Sequence, residues 1–302
     1  MGTLETGLRH PALTWRETAS AYVSLTKPRI ISLLLITTIP TMVLANKGVP
    51  SLWLMFATLV GGTLAAGGAN AINCYLDRDI DEIMHRTQGR PLPLGKMEPL
   101  SAIVFGLTLE LVAFALLAGS SNLLAACLAL SATLFYVFVY TMMLKRTTPQ
   151  NIVIGGAAGA VPPLVAWAAV TGTIGAPAVI LFAVICFWTP PHFWALAIKY
   201  KDDYARAGVP MLPVVATLAS TKRQIFAYSV LLLPVSLSLL VTGTVGWVYA
   251  ACALVLGGLF VWEAWRLRAN DAPGTAMGVF RASIYYLAFI FIAVAADQMI
   301  LG

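Results

Sequence analysis

The sequence predicts an all-α, polytopic membrane protein, with about nine spanning helices around a central cavity open to the cytoplasmic side. Three observations predict it: the composition, a series of apolar runs of spanning length, and a strict alternation between charged and uncharged connections. Of 302 residues, 59% are hydrophobic and 11% are charged. A soluble domain of ordinary composition carries charge on roughly a quarter of its residues. A spanning helix needs about 20 apolar residues, so nine of them use most of the chain. No stretch remains for a separate soluble unit, and residues 1–302 read as a single transmembrane domain.

The expected spans cover residues 30–45, 52–72, 101–118, 123–143, 152–170, 178–198, 225–241, 245–265 and 279–300. Turn-forming residues separate them, among them Lys47-Gly48-Val49-Pro50, Gly119-Ser120-Ser121-Asn122, Thr171-Gly172 and Thr242-Gly243-Thr244. The connections after the odd-numbered spans are short and nearly uncharged. Those after the even-numbered spans carry Lys and Arg, and of the 19 Lys and Arg residues Lys47 alone falls on the other side. Basic segments stay in the cytoplasm, which places the N-terminal segment 1–26 inside and the C-terminus outside a cell membrane. Segment 1–26 holds Glu5, Arg9, Arg16 and Glu17 and lacks the apolar core and small-residue cleavage site of a signal peptide, so the first span is expected to direct insertion.

The net charge of +6 lies in loops between apolar runs, not in a basic amphipathic segment. This excludes nucleic acid as the expected partner and favours lipid headgroups or an anionic substrate. Cys74, Cys127, Cys186 and Cys252 lie far apart without a C-x-x-C pair, so neither a zinc site nor a disulfide framework is expected.

Chemistry concentrates in two long cytoplasmic loops, 73–99 and 199–222. In the first, Asn73, Asp77 and Asp81 are four residues apart. At about 100° per residue they drift only ~40° per step, so they share one face of a helix that continues past the apolar core, while Asp79 points elsewhere. Like charges one turn apart repel, and a cation removes that cost. Two carboxylates and an amide oxygen make a hard-oxygen site suited to Mg2+, which leaves positions for phosphate oxygens. The plainer reading is a solvated helix end paired with Arg78, Arg86 and Arg90. The second loop offers Lys199, Lys201, Asp202, Asp203 and Arg206; Lys27-Pro28-Arg29 opens the first span and Lys145-Arg146 closes the fourth. Each basic cluster alone is explained by topology. Together around an acidic stripe they suit a metal-bridged polyanion such as a diphosphate. Within the spans, Glu110 and His192 stand out, since ionisable groups in lipid are costly and functional by default. His192 follows Pro190-Pro191, a pair expected to kink the helix, and lies among Trp188, Phe193 and Trp194. A satisfied core histidine and a substrate or iron contact both remain open for it.

These residues resemble the UbiA superfamily of intramembrane prenyltransferases, and within it the branch that acts on haem. Asn73, Asp77 and Asp81 match its first N-x-x-x-D-x-x-x-D motif. Arg86, Thr87, Arg90 and Pro91, then Trp188-Thr-Pro-Pro-His-Phe-Trp-Ala-Leu-Ala197 and Asp202-Asp-Tyr-Ala-Arg-Ala-Gly-Val-Pro-Met-Leu-Pro213, are similar to the haem branch, and Tyr140 to Arg146 resembles the superfamily's fourth-helix end with Lys145 as a phosphate ligand. The resemblance departs at the second acidic motif, where Lys199 takes the place of its first aspartate and Asp203 stands as its last. It implies transfer of a farnesyl group from farnesyl diphosphate to haem b, giving haem O and diphosphate. It implies Mg2+ on Asn73, Asp77, Asp81 and Asp203, with Asp202 beside them. It also implies a diphosphate on Lys27, Arg29, Arg78, Arg86, Arg90, Lys145, Lys199, Lys201 and Arg206, and haem contacts at His192, Glu110 and Trp188. Tyr136, Tyr140 and Trp188 are the candidates for stabilising an allylic cation. A lipid bilayer, and a haem A synthase or terminal-oxidase assembly, are the implied partners. A UbiA enzyme acting on an aromatic or quinone precursor, a cation-coupled transporter and an oxidase assembly factor are the competing classes.

Overall fold

In the computed structural model of the protein, residues 14–270, 272 and 274–301 are described. All regular structure among them is helical, as the composition predicts. The first described helix is α1 (Trp15–Leu25), a short helix within the expected N-terminal segment that the apolar-run pattern does not reveal. It starts on a reciprocal cap in which Thr14 N–H donates to Glu17 Oε2 at 2.9 Å and Glu17 N–H donates to Thr14 Oγ1 at 3.4 Å. Ala21 and Leu25 are its buried residues, and Tyr22 meets Phe105 edge-on at 4.9 Å.

Then follow α2 (Pro28–Asn46), α3 (Leu52–Leu76), the short α4 (Arg78–Ile83), α5 (Pro99–Ser120) and α6 (Leu123–Leu134), which continues as a π-helical segment, Phe135–Leu144. The fifth expected span is two helices, α7 (Asn151–Ala160) and α8 (Pro162–Thr171). Pro162 and Pro163 lack N–H groups, so the ladder stops at Ala160 and restarts when Leu164 and Val165 donate to the Val161 carbonyl at 2.8 and 3.1 Å. By contrast, Pro190 and Pro191 lie inside α9 (Ala176–Lys199), which runs through them. The second charged loop holds α10 (Lys201–Arg206) and α11 (Leu212–Val215). The chain ends with α12 (Leu218–Leu237) and its 3₁₀ extension Ser238–Thr242, α13 (Trp247–Ala269) and α14 (Thr275–Leu301).

Counting α6 with its π segment and α7 with α8, eight helical stretches among the described residues are long and apolar enough to cross a membrane. The first expected span falls on α2, whose described apolar stretch, Ile36–Asn46, is shorter than a full crossing. Small residues decide the closest packing. A Cβ on Gly68 of α3 would stand 2.7 Å from the Gly106 carbonyl of α5, so only glycine allows these backbones to touch. One core joins α9, α12, α13 and α14 around Trp188, Trp194, Tyr249, Phe260, Tyr286 and Phe291. A second joins α3, α5, α6 and α8 through small side chains such as Ala65, Ala113, Ala126 and Ala168. Asp297, near the C-terminal end of α14, is buried. Its carboxylate accepts from Gly246 N–H at 2.6 Å and Tyr249 N–H at 2.9 Å, capping the otherwise unsatisfied start of α13.

A candidate active site at the end of the third helix

The acidic stripe sits where α3 ends. The backbone turns at Asp77 (φ −95°, ψ 5°) and resumes as α4, yet Asp77 N–H still donates to the Asn73 carbonyl at 2.9 Å and Asp81 N–H to the Asp77 carbonyl at 2.8 Å. The four-residue spacing therefore survives a break that the sequence does not announce. Asn73, Asp77 and Asp81 are only 3%, 1% and 2% exposed, which rules out a merely solvated helix end.

Bases surround them. Asn73 Nδ2 donates to Asp77 Oδ2 at 2.7 Å and to Thr141 Oγ1 at 3.1 Å, while its Oδ1 accepts from Lys27 Nζ at 2.7 Å. Lys145 Nζ reaches Asp77 Oδ2 at 2.5 Å, and Arg90 Nη1 reaches Asp81 Oδ2 at 2.5 Å. Arg146 chelates the exposed Asp79 at 2.6 and 2.7 Å and stands 3.9 Å from Asp77 Oδ1. Burial pushes the Lys27 ammonium down to about 8, with the Asp77 carboxylate among the groups opposing the shift. Hydrogen bonding from Arg146 holds the Asp79 carboxyl down to about 2. For Arg90 burial works against the charge, and the Asp81 carboxylate overcomes it, so the guanidinium is held more firmly than usual.

The π segment supplies the opposite wall. Its five-residue hydrogen-bond step, closed by Lys145 N–H on the Tyr140 carbonyl at 2.8 Å, stacks Tyr136 below Thr141 and Tyr140 below Lys145. Tyr136 and Tyr140 lie face to face, with centroids 5.4 Å apart. Gly155 of α7 makes room for the Tyr140 ring, since a Cβ there would fall 2.2 Å from Cδ2. Thr87 Oγ1 donates to the Asp81 carbonyl at 3.1 Å and fixes the chain that returns Arg90. The two charged loops meet: Ile80 and Met84 of the first share one apolar cluster with Val209 and Met211 of the second, and with Ile152, Ala197, Tyr140 and Tyr204.

The other sequence-derived candidates lie differently. Arg78 donates to the Tyr75 carbonyl at 2.8 Å and lies over the Tyr75 ring, away from the stripe. Arg86 and Lys199 both approach the Tyr200 ring, at 5.8 and 5.3 Å. Asp203 is buried and paired with Arg206 of its own short helix, while Lys201 and Asp202 are exposed. The Arg29 side chain lies outside the described residues. His192 is buried, stacked on Trp188 at 4.3 Å and on Phe280 at 4.6 Å, with Nδ1 2.7 Å from the Ser283 hydroxyl; Trp188 Nε1 donates to the Ser283 carbonyl at 2.6 Å. Glu110 lies elsewhere, accepting from Thr133 Oγ1 at 2.8 Å at the junction of α3, α5 and α6. Sequence reasoning missed Thr141 as a member of the site, since nothing local marks it; Arg146 was named only as part of the Lys145-Arg146 cluster.

Among the described residues no three His, Cys, Asp or Glu side chains gather closely enough to hold a metal ion. The donor set nevertheless fits a divalent cation. Asp77 Oδ1 is buried without a hydrogen-bond partner, and an orphaned carboxylate oxygen beside an amide and a second carboxylate suits a hard ion.

The model of the UbiA prenyltransferase family matches residues 34–293. The chain belongs to the UbiA prenyltransferase family. It is accordingly an integral membrane protein. It is 52% identical over 285 residues to the protoheme IX farnesyltransferase of Parafrankia sp., covering 93% of this chain and 91% of that protein. It is 51% identical over 293 residues to protoheme IX farnesyltransferase 1 of Saccharopolyspora erythraea, covering 96% and 93%. Solved UbiA-type structures share the fold. A digeranylgeranylglyceryl phosphate synthase aligns with a TM-score of 0.78 at 20% identity, over 94% of this chain and all of that one. A UbiA homologue from Archaeoglobus fulgidus bound to GPP and Mg2+ aligns with a TM-score of 0.61 at 16% identity, over 91% and 99%.

Proposed function

We propose that this UbiA protein is a protohaem IX farnesyltransferase, moving the farnesyl group of farnesyl diphosphate onto a vinyl group of haem b to give haem O and diphosphate. The relatives at about half identity over nearly the whole chain bear that name. The observation that carries the chemistry is the buried set Asn73, Asp77 and Asp81, ringed by Lys27, Arg90, Lys145 and Arg146.

Asn73, Asp77 and Asp81 would hold Mg2+, with Asp203 of the second loop as a further candidate ligand. When bound, the ion supplies Lewis-acid stabilisation of the departing diphosphate. Lys145 and Arg90, which now neutralise Asp77 and Asp81, turn to phosphate oxygens as the polyanion arrives, and Lys27 adds a third cation. The C1–O bond of the farnesyl group breaks and the electron pair leaves with the diphosphate. The stacked Tyr136 and Tyr140 rings, one turn below Lys145, present π faces to the allylic cation. The cation joins the terminal vinyl carbon of haem, and water adds to the neighbouring carbon with loss of a proton. Ser283 engages His192 Nδ1, which leaves Nε2 as the ring nitrogen for haem iron, with Trp188 stacked beside it. Glu110, tied to Thr133, serves helix packing and not haem. The cationic site faces the cytoplasm, with the N-terminus inside and the C-terminus outside the cell membrane. Haem A synthase or oxidase assembly is the natural recipient of the product.

Mass spectrometry of the porphyrin after incubation of the purified protein with haem b, farnesyl diphosphate and Mg2+ tests the reading. A porphyrin heavier by one farnesyl and one hydroxyl group is expected. Unmodified haem, with an aromatic acceptor prenylated instead, would transfer the chain to another branch of the family.

A further inference from the structure

The corner between α1 and α2 is conformationally costly. Lys27 has φ 53° and ψ 61°, a left-handed backbone that residues with a Cβ seldom adopt. Pro28 follows, and a residue before proline is barred from simply continuing a right-handed helix. An extended backbone is the relaxed alternative, so the surroundings must hold the left-handed turn in place.

One face of α3 does so. Gly67, Asn70 and Cys74 recur at helical spacing, and each meets the corner. A Cβ on Gly67 would stand 3.2 Å from Thr26 Cγ2, so the corner lies directly on that glycine. Asn70 Nδ2 donates to the Thr26 carbonyl at 3.0 Å. Cys74 Sγ makes a weak contact with the Leu25 carbonyl at 3.9 Å. Asn70 is 7% exposed, so its amide is a buried polar group committed to the peptide that precedes Lys27. From that peptide the Lys27 side chain reaches Asn73 Oδ1 at 2.7 Å, one turn further along the same helix.

We propose that Asn70 is a positioning residue for the diphosphate site: its amide locks the left-handed corner from which Lys27 delivers its ammonium. Without the Asn70 donor the Thr26–Lys27 peptide rotates to an extended form and the ammonium leaves the acidic stripe. Asn70 itself touches neither substrate. This inference rests on the proposed role of Lys27 in binding the farnesyl diphosphate headgroup.

The test is a double-mutant cycle read by equilibrium binding of farnesyl thiodiphosphate, a slowly reacting analogue, and by the KM for each substrate in the full-length, membrane-reconstituted protein. Lys27→Met and Asn70→Ala are each expected to weaken analogue binding by about tenfold, the loss of one charge-assisted contact. The KM for haem b should stay within about twofold, and the double variant should bind no worse than Lys27→Met alone. Asn70→Ser, which keeps a donor, should recover part of the loss. If Asn70→Ala fails to fold, Gly67→Ala presses on Thr26 from the same face and should weaken analogue binding while sparing haem. Two results overturn the proposal differently. A silent Lys27→Met removes the role of Lys27 and the inference with it. An impaired Lys27→Met whose loss adds fully to that of Asn70→Ala, or an equal loss of haem affinity, shows Asn70 to be merely structural.

Discussion

The two long charged loops, 73–99 and 199–222, look alike as sequence, each mixing aspartates with lysines and arginines, but the fold treats them differently. In the first loop Asp77 is partnered by Lys145, 68 positions away, and Asp81 by Arg90 across a turn; both carboxylates are buried. In the second, Asp203 pairs with Arg206 three residues along its own helix, and Asp202 stands in solvent. The first set ties α3, α4 and the π segment together around one point. The second is neutralised locally and meets the first chiefly through apolar contacts of Val209 and Met211. Acidic residues wired to distant elements set geometry, whereas an ion pair within one short helix ties down only its own turn. Catalytic weight should therefore fall unequally on two motifs that a motif search would rank together.

Substitutions can break or sharpen that asymmetry. Asp77→Asn and Asp81→Asn should each lower turnover by about 10²–10³ while the protein remains folded, as thermal unfolding in detergent can verify. Losses of similar size from Asp203→Asn would erase the distinction between the loops. Lys145→Met and Arg90→Met remove the distant partners and should cost roughly 10–100-fold in kcat/KM for farnesyl diphosphate, with the KM for haem b little changed. Asp203→Asn should cost at most about tenfold, since this buried carboxylate is already satisfied by Arg206 of its own helix. Asp202→Asn and Asp79→Asn, both at exposed carboxylates, should leave turnover within about twofold in the same steady-state assay.

The spans were legible because lipid demands length and apolarity of each helix separately; α3, α5, α9, α12, α13 and α14 lie close to where the apolar runs place them. What escaped depends on neighbours. The helix α1 is short and half polar, and its capping box is the only local mark of it. Two proline pairs, each inside an apolar run, had opposite outcomes: Pro162-Pro163 ends a helix and Pro190-Pro191 does not. The capping role of Asp297 escaped because its two backbone donors lie about 50 residues upstream, at the start of another helix. In the site, the register of Asn73, Asp77 and Asp81 followed from helical spacing alone. The inward turn of Lys145, the outward turn of Arg78 and the place of Thr141 did not, because a π-helical segment and a backbone break at Asp77 set those directions.

The central claim is that a divalent ion on Asn73, Asp77 and Asp81 contacts the diphosphate of the prenyl donor. Pulsed electron paramagnetic resonance on the protein loaded with Mn2+ and farnesyl thiodiphosphate tests it directly. The account predicts phosphorus hyperfine coupling to the ion in the parent protein and its loss in both Asp77→Asn and Asp81→Asn. Coupling of undiminished strength in those two variants would place the ion elsewhere and contradict the account.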